Sequence, residues 1–248
     1  MQNFRCYTDF TMHFSPGVTV IVAENGKGKT AILDGLAINM APYLAAFPGI
    51  KGRSFQPNDV RMVMDAPSDK EELQIRRMKY LLPVVLETEV KADDGKAYSW
   101  KRELKTVKGK TSSVSAKFVS DYGKRIADAL NQPGDQDIIL PVIGYYGTSR
   151  MWNDSSLLKR KNVDLSRSSG YTECLEPSGS YNTFAQWFRY ATESALEYDR
   201  IIAEKNLKVK NPYRELLNAI KKAIVTCISS MGWTDLKYSF AAQNLLIC

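Results

Sequence analysis

The run Ala23-Glu24-Asn25-Gly26-Lys27-Gly28-Lys29-Thr30 limits what this chain can fold into more than any other part of it. It fits the pattern G-x-x-x-x-G-K-[ST], with alanine at a first position that needs only a small residue. Gly26 and Gly28 permit backbone angles and a close approach that a side chain would block. Successive backbone N–H groups can then turn inward on an anion. Lys29 adds positive charge and the Thr30 hydroxyl can ligate a magnesium ion. Such a loop needs a strand ahead of it and a helix behind it, whose N-terminus faces the same anion. Both patterns are present. Val18-Thr19-Val20-Ile21-Val22 is a continuous β-branched run and reads as a strand buried on both faces. Ala31 to about Tyr43 reads as an apolar helix that stops near Pro48-Gly49. The expected ligand is a nucleoside triphosphate, ATP with Mg2+. Its contacts would be Glu24, Asn25, Gly26, Lys27, Gly28, Lys29, Thr30 and Ala31, with Lys29 acting in catalysis and Thr30 on the metal.

The rest of the chain alternates between strand and helix patterns. Cys6–Phe14 alternates loosely and reads as a strand, closed by a turn at Ser15-Pro16-Gly17. Pro83–Val90 and Ala97–Val107 flank the turn signal Asp93-Asp94-Gly95-Lys96 and predict an antiparallel hairpin. A helix is expected around Val114–Leu130, then a second buried strand over Ile138–Tyr146. Met151–Ser180, polar and rich in glycine and serine, reads as a long loop. Phe184, Trp187, Phe188, Ala191, Ala195 and Ile202 share one helical face, as do Leu217, Ile220, Ile224, Cys227 and Met231. A terminal hairpin over Asp235–Tyr238 and Asn244–Ile247 follows. The predicted class is α/β, a P-loop lobe over 1–150 with an antiparallel β-subdomain at about 83–107. A loop over 151–180 and a helical segment over 181–248 complete it.

Composition narrows the chemistry. The 248 residues suffice for one large domain or two small ones. No apolar stretch reaches the roughly 20 residues that span a bilayer, and the N-terminus is no signal peptide, so a cytoplasmic location is expected. Cys6, Cys174, Cys227 and Cys248 are scattered, which gives neither a zinc site nor a disulfide framework. His13, the one histidine, lies in the strand-like run and is expected to be structural, which argues against a histidine triad. The net charge of +7 gathers at Lys101–Lys110 and Lys159–Lys161. These stretches read first as a solvated hairpin and loop, and second as contacts to DNA, RNA or an acidic partner.

The flanks of the loop carry a resemblance. Glu24–Thr30 followed by Ala31-Ile32-Leu33-Asp34, with Asn3-Phe4-Arg5 ahead, resembles the ABC-type ATPases of the SMC, Rad50 and RecF group. Asn3–Tyr7, Phe14–Pro42, Asp59-Val60-Arg61, Tyr145-Tyr146-Gly147-Thr148-Ser149-Arg150 and Phe184-Ala185-Gln186-Trp187-Phe188 resemble one bacterial family within it. Those proteins are described as ATP-binding proteins involved in virulence, with relatives in Septu-type anti-phage systems and beside retrons. The resemblance implies an ATPase head that dimerises on itself head to head. It implies an HNH-type nuclease partner and, in some cases, a retron reverse transcriptase with its nucleic acid. It also implies that Arg5 lies near the base or ribose, that Asp34 supports the P-loop helix, and that Tyr146–Arg150 borders the nucleotide, with Arg150 in contact.

Hydrolysis in such ATPases uses a serine- and glycine-rich signature loop and an apolar Walker B strand ending in Asp-Glu. No apolar run after Thr30 ends that way, and Ile138–Gly144 leads into Tyr-Tyr-Gly. Ser166-Arg167-Ser168-Ser169-Gly170 has a signature-like composition but the wrong neighbours. The chain therefore reads as the N-terminal half of a longer ATPase, inactive alone. Two other readings stand beside it: a non-hydrolysing ATP-sensing scaffold and a RecF- or Rad50-like DNA repair ATPase. The absence of an N-K-x-D motif argues against a GTPase.

Overall fold

A computed structural model describes residues 1–64, 78–91, 95–132, 138–147, 166–176, 181–232, 234–242 and 244–247. The chain divides into two units, Met1–Ser149 with Gly170–Gly179, and Arg150–Ser169 with Ser180–Cys248. The fold is α/β, antiparallel sheets with helices. No helix among the described residues is long and apolar enough to cross a membrane.

The first unit is built around one helix. α1 (Lys29–Leu44) is apolar on nearly all sides, and eleven of its residues are buried. It can be buried all round because two layers cover it. On one side lies a four-stranded antiparallel sheet ordered β2-β1-β5-β6: β1 (Gln2–Phe4), β2 (Tyr7–Asp9), β5 (Val84–Lys91) and β6 (Ala97–Leu104). Phe4, Val84, Leu86 and Leu104 from this sheet pack with Ala31 and Ile38, joined by Phe55 and Val60. On the other side α2 (Lys117–Leu130) supplies Val119 and Ala127 against Ala37, Ala41 and Leu44, with Phe47, Tyr171 and Leu175 closing the cluster. Gly123 makes the helix crossing possible, since a Cβ there would stand 2.5 Å from the Tyr43 carbonyl oxygen. Each large side chain so buried contributes about 1.5–3 kcal/mol.

A second device fastens β6 to α1. Pro42 has no amide hydrogen, so the Ile38 carbonyl loses its helical partner. Arg102 Nη1 donates to that carbonyl (2.6 Å) and to the Arg53 carbonyl (2.6 Å). Trp100 Nε1 donates to the Asn39 carbonyl one residue on (2.9 Å). Burial lowers the Arg102 pKa to about 10, which leaves it charged at neutral pH.

A separate two-stranded ribbon pairs β3 (Met62–Met64) with β4 (Met78–Tyr80). In the second unit α3 (Tyr181–Glu204) and α4 (Pro212–Ile228) carry the hairpin β7 (Leu236–Ser239) and β8 (Asn244–Ile247). Phe188, Ala191, Ala195 and Leu217 meet Leu236, Tyr238 and Leu245 there. Asn211 caps α4 by accepting from the Tyr213 and Arg214 amides, while its own amide donates to Asp199 and to the Ala195 carbonyl.

The β5–β6 hairpin, α1, α2 and the helices of the last third form as their patterns predict. Three expected strands differ. Val18–Val22 forms no strand, and Val18, Val20 and Val22 are 84, 76 and 88% exposed. Ile138–Tyr146 likewise forms none, with Ile139 at 90% and Val142 fully open. The reason is physical: a β-branched run becomes a strand only beside another, and Val18–Val22 belongs to none of the sheets formed by the described residues. The Cys6–Phe14 strand shrinks to Tyr7–Asp9, so His13 lies outside any strand and is exposed. Within the expected loop 151–180, Tyr171 and Leu175 are buried in the first unit's core, at the i, i+4 spacing of one helical turn.

Candidate functional site

The P-loop stands where β-branched chain gives way to α1. Gly26 (φ +80) and Gly28 (φ +91) both occupy the left-handed region that favours glycine. At Gly28 space forbids a side chain as well: a Cβ would lie 2.5 Å from Cys6 Sγ and 2.7 Å from the Tyr7 hydroxyl. Tyr7 donates to the Lys27 carbonyl (3.4 Å) and stacks on Phe10 at 4.4 Å. The segment just after Asn3-Phe4-Arg5 is thus the wall against which the loop is moulded.

Gly28 begins α1 with no side-chain cap, and the first turn carries no acidic residue. The partial positive charge of the helix N-terminus is therefore left for an external anion. Lys29 Nζ donates to the Ala23 and Glu24 carbonyls (2.5 and 2.8 Å), so it already sits over the loop. Thr30 is exposed, Gly28 and Lys29 are half-buried, and Ala31 is buried as part of the core. Glu24, Asn25, Gly26 and Lys27 are exposed, with a weak surface pair between Lys27 and Glu24 at 3.9 Å. These residues fit a magnesium triphosphate: a cradle of amides, a lysine and a free hydroxyl. Among the described residues no trio of His, Cys, Asp or Glu could hold a metal on its own. Thr30 with phosphate oxygens suits the sparse protein ligation that Mg2+ prefers.

Beneath the loop lies a charge cluster. Arg5, at φ +49, places Nη1 2.5 Å from Asp34 Oδ2 and Nη2 2.8 Å from Asp59 Oδ1. Arg53 Nη1 is 2.8 Å from Asp34 Oδ1, and the Tyr145 hydroxyl donates to the same oxygen (2.9 Å). Asp34 and Asp59 are buried. Burial opposes the charge on Arg5, yet the hydrogen bond to Asp59 and the field of Asp34 hold its pKa above the usual arginine value. Burial, then the Asp34 contact, pushes the Tyr145 phenol up to about 12, so it remains a donor at neutral pH.

The structure thus brings Arg5 and Asp34 together, one turn along α1 from Thr30. Arg150, expected at the nucleotide, lies outside the described residues, as do Thr148 and Ser149. Tyr146 is 70% exposed. Sequence reasoning gave no role to Tyr7, Arg53 or Tyr145. Tyr7 and Tyr145 fall inside segments that carried the resemblance, whereas nothing in the local pattern singles out Arg53. The basic stretch Lys101–Lys110 is partly neutralised. Lys101 stands opposite Glu87 in the hairpin register, Lys105 lies 3.8 Å from Glu103, and Arg102 points into the core. Lys159–Lys161 lies outside the described residues.

Comparison with known proteins agrees with this geometry. A family model described as an AAA domain matches residues 1–230. The DNA replication and repair protein RecF of Limosilactobacillus reuteri is 42% identical over 38 residues, 15% of this chain and 10% of that protein. RecF of Desulfitobacterium hafniense is 47% identical over 36 residues, 14% of this chain and 10% of that protein. The DNA double-strand break repair Rad50 ATPase of Halobacterium salinarum is 50% identical over 34 residues, 14% of this chain and 4% of that protein. The chain therefore covers no more than a tenth of these curated relatives.

Proposed function

The chain belongs to the AAA domain family, and from that premise we propose that its P-loop binds ATP with Mg2+ and works as the ATPase switch of a bacterial anti-phage system. In this reading ATP drives head-to-head dimerisation, and the dimer gates an HNH-type nuclease. The observation that supports it is the uncapped, positively polarised start of α1 behind two left-handed glycines, with Lys29 poised over the loop. The loop amides and Lys29 would take the β- and γ-phosphates, and the Thr30 hydroxyl would hold the metal. Bound magnesium neutralises phosphate charge and orients the terminal phosphate. Lys29 must leave the Ala23 and Glu24 carbonyls to do its part, so binding reshapes the loop. The anti-phage and nuclease assignments rest on the resemblance at Asn3–Tyr7, Phe14–Pro42 and Tyr145–Arg150.

Binding and turnover separate in this reading. The sequence after Thr30 holds no apolar run ending in Asp-Glu, so a carboxylate to orient the attacking water is not evident. Slow turnover with retained binding is the expectation for this chain alone. That is also the behaviour of an ATP-sensing scaffold, the reading closest to it.

Sedimentation with and without Mg·ATP tests the switch. The wild type is expected to dimerise only with ATP, and Lys29→Ala is expected to stay monomeric throughout. An ATP-independent oligomeric state would overturn the dimerisation reading. An HNH nuclease or a reverse transcriptase gene beside the source locus would support the defence role. The matches to RecF and Rad50 favour DNA repair as a second reading. It predicts instead that the chain alone binds DNA, with affinity falling steeply as salt rises.

A further inference from the structure

Asp34 is the most heavily committed side chain near the P-loop. It stands one helical turn beyond Thr30 and is 4% exposed. Donors from three separate stretches converge on its carboxylate: Arg5 on Oδ2, and Arg53 and Tyr145 on Oδ1. Arg5 in turn holds Asp59 by Nε (2.8 Å), and the Gln56 backbone N–H donates to the other Asp59 oxygen (2.8 Å). Two arginines and two carboxylates form a neutral set whose desolvation is compensated only while all four are in place. Buried networks of this kind add little net stability over apolar packing; what they define is one arrangement of the groups they join. Arg5 also adopts a backbone conformation rare for L side chains, a form of strain that clusters at functional sites.

Tyr145 is fixed at both ends. Its hydroxyl is on Asp34, its backbone N–H donates to the Cys174 carbonyl (2.8 Å), and the Arg53 guanidinium lies 5.6 Å from its ring centre. The other end of the path is Lys29, for which the nucleotide reading supplies a second state. Lys29 bonds either to its own loop carbonyls, as here, or to phosphate oxygens, and α1 begins at that residue.

We propose that Asp34 couples the occupancy of the P-loop to Tyr145, which makes Tyr145 a positioning residue for residues 145–147. The coupling rests on the nucleotide reading given above. When phosphate draws Lys29 off the Ala23 and Glu24 carbonyls, the first turn of α1 resets. Asp34 passes the change to Arg5, Arg53 and Tyr145 because its oxygens are already committed to them. Site-to-site coupling requires such a contiguous path with two states, the second of which the nucleotide reading supplies.

Hydrogen–deuterium exchange of the whole chain tests this, with and without Mg·ATP, in wild type, Tyr145→Phe and Asp34→Asn. In the wild type ATP should slow exchange over 24–32 and also, by about fivefold or more, over 141–147, the modest end of typical coupling. Tyr145→Phe keeps the ring and removes only the hydroxyl. It should retain the ATP effect over 24–32 and lose the one over 141–147, and Asp34→Asn should do the same. A purely structural Tyr145 would change the exchange rate without ATP and leave the ATP-dependent difference intact; that result overturns the coupling. So does wild-type protection confined to 24–32. No protection over 24–32 in the wild type overturns the nucleotide reading itself, and the coupling falls with it.

Discussion

The two flanks of the P-loop obey different rules. Behind it, α1 is covered by a sheet and a helix, and its one buried carboxylate, Asp34, is fully engaged. Ahead of it, Val18–Val22 is an unbroken run of five β-branched residues, yet its three valines face solvent. A helix closes its hydrogen bonds within its own segment, so a local pattern suffices to form it. A strand borrows its bonds from a neighbour, so the same strength of pattern is only a demand for one. The loop sits where a finished element meets an unfinished one.

Substitutions on the two flanks should differ accordingly. The largest loss is expected at Asp34→Ala, which removes the buried carboxylate that the partly buried Arg5 and Arg53 share. Removing one member of a buried ion-pair set costs about 3–5 kcal/mol, read from urea unfolding. A loss under about 1 kcal/mol would mean that the set is solvated and the flank less finished than described. Gly123→Ala comes next, because a Cβ would press on the Tyr43 carbonyl oxygen and push α2 from α1. Overpacking of that kind costs about 1–3 kcal/mol, read from the same unfolding curves. At the other flank, Val20→Lys should change stability by no more than about 0.5 kcal/mol, since Val20 is already open. A cost near that of Asp34→Ala would show that the run is paired in solution and would erase the contrast. The smallest effect is chemical. Burial pushes the Cys174 thiol up to about 11, so at pH 8 it should alkylate far more slowly than exposed Cys6. Because Cys6 lies against Gly28, Mg·ATP should slow the labelling of Cys6, as peptide mass spectrometry would report.

What the sequence made legible follows the same division. The loop was readable because Gly26, Gly28 and Lys29 act through backbone geometry and charge, which residue type dictates directly. The β5–β6 hairpin was readable because its turn and its alternating partners lie close in the chain. The fate of Val18–Val22 was not, because ladder partners are not encoded in the strand that needs them. Nor was the charge cluster: Arg5, Arg53 and Tyr145 are brought to Asp34 by packing, over separations of 19 to 111 residues, and Asp59 is brought to Arg5. The buried place of Arg102 in a basic run was equally hidden, since it depends on a carbonyl that Pro42 leaves open on α1.

In the function proposed above, Ala23–Thr30 is a working triphosphate site. Calorimetric titration of Mg·ATP into the wild type and into Lys29→Ala tests it most directly. Loss of the lysine's charge-assisted contacts should weaken binding by about a hundredfold or more, with the unfolding midpoint unchanged because Lys29 touches only loop carbonyls. Equal affinity in the two proteins, or no binding by the wild type, would contradict the account.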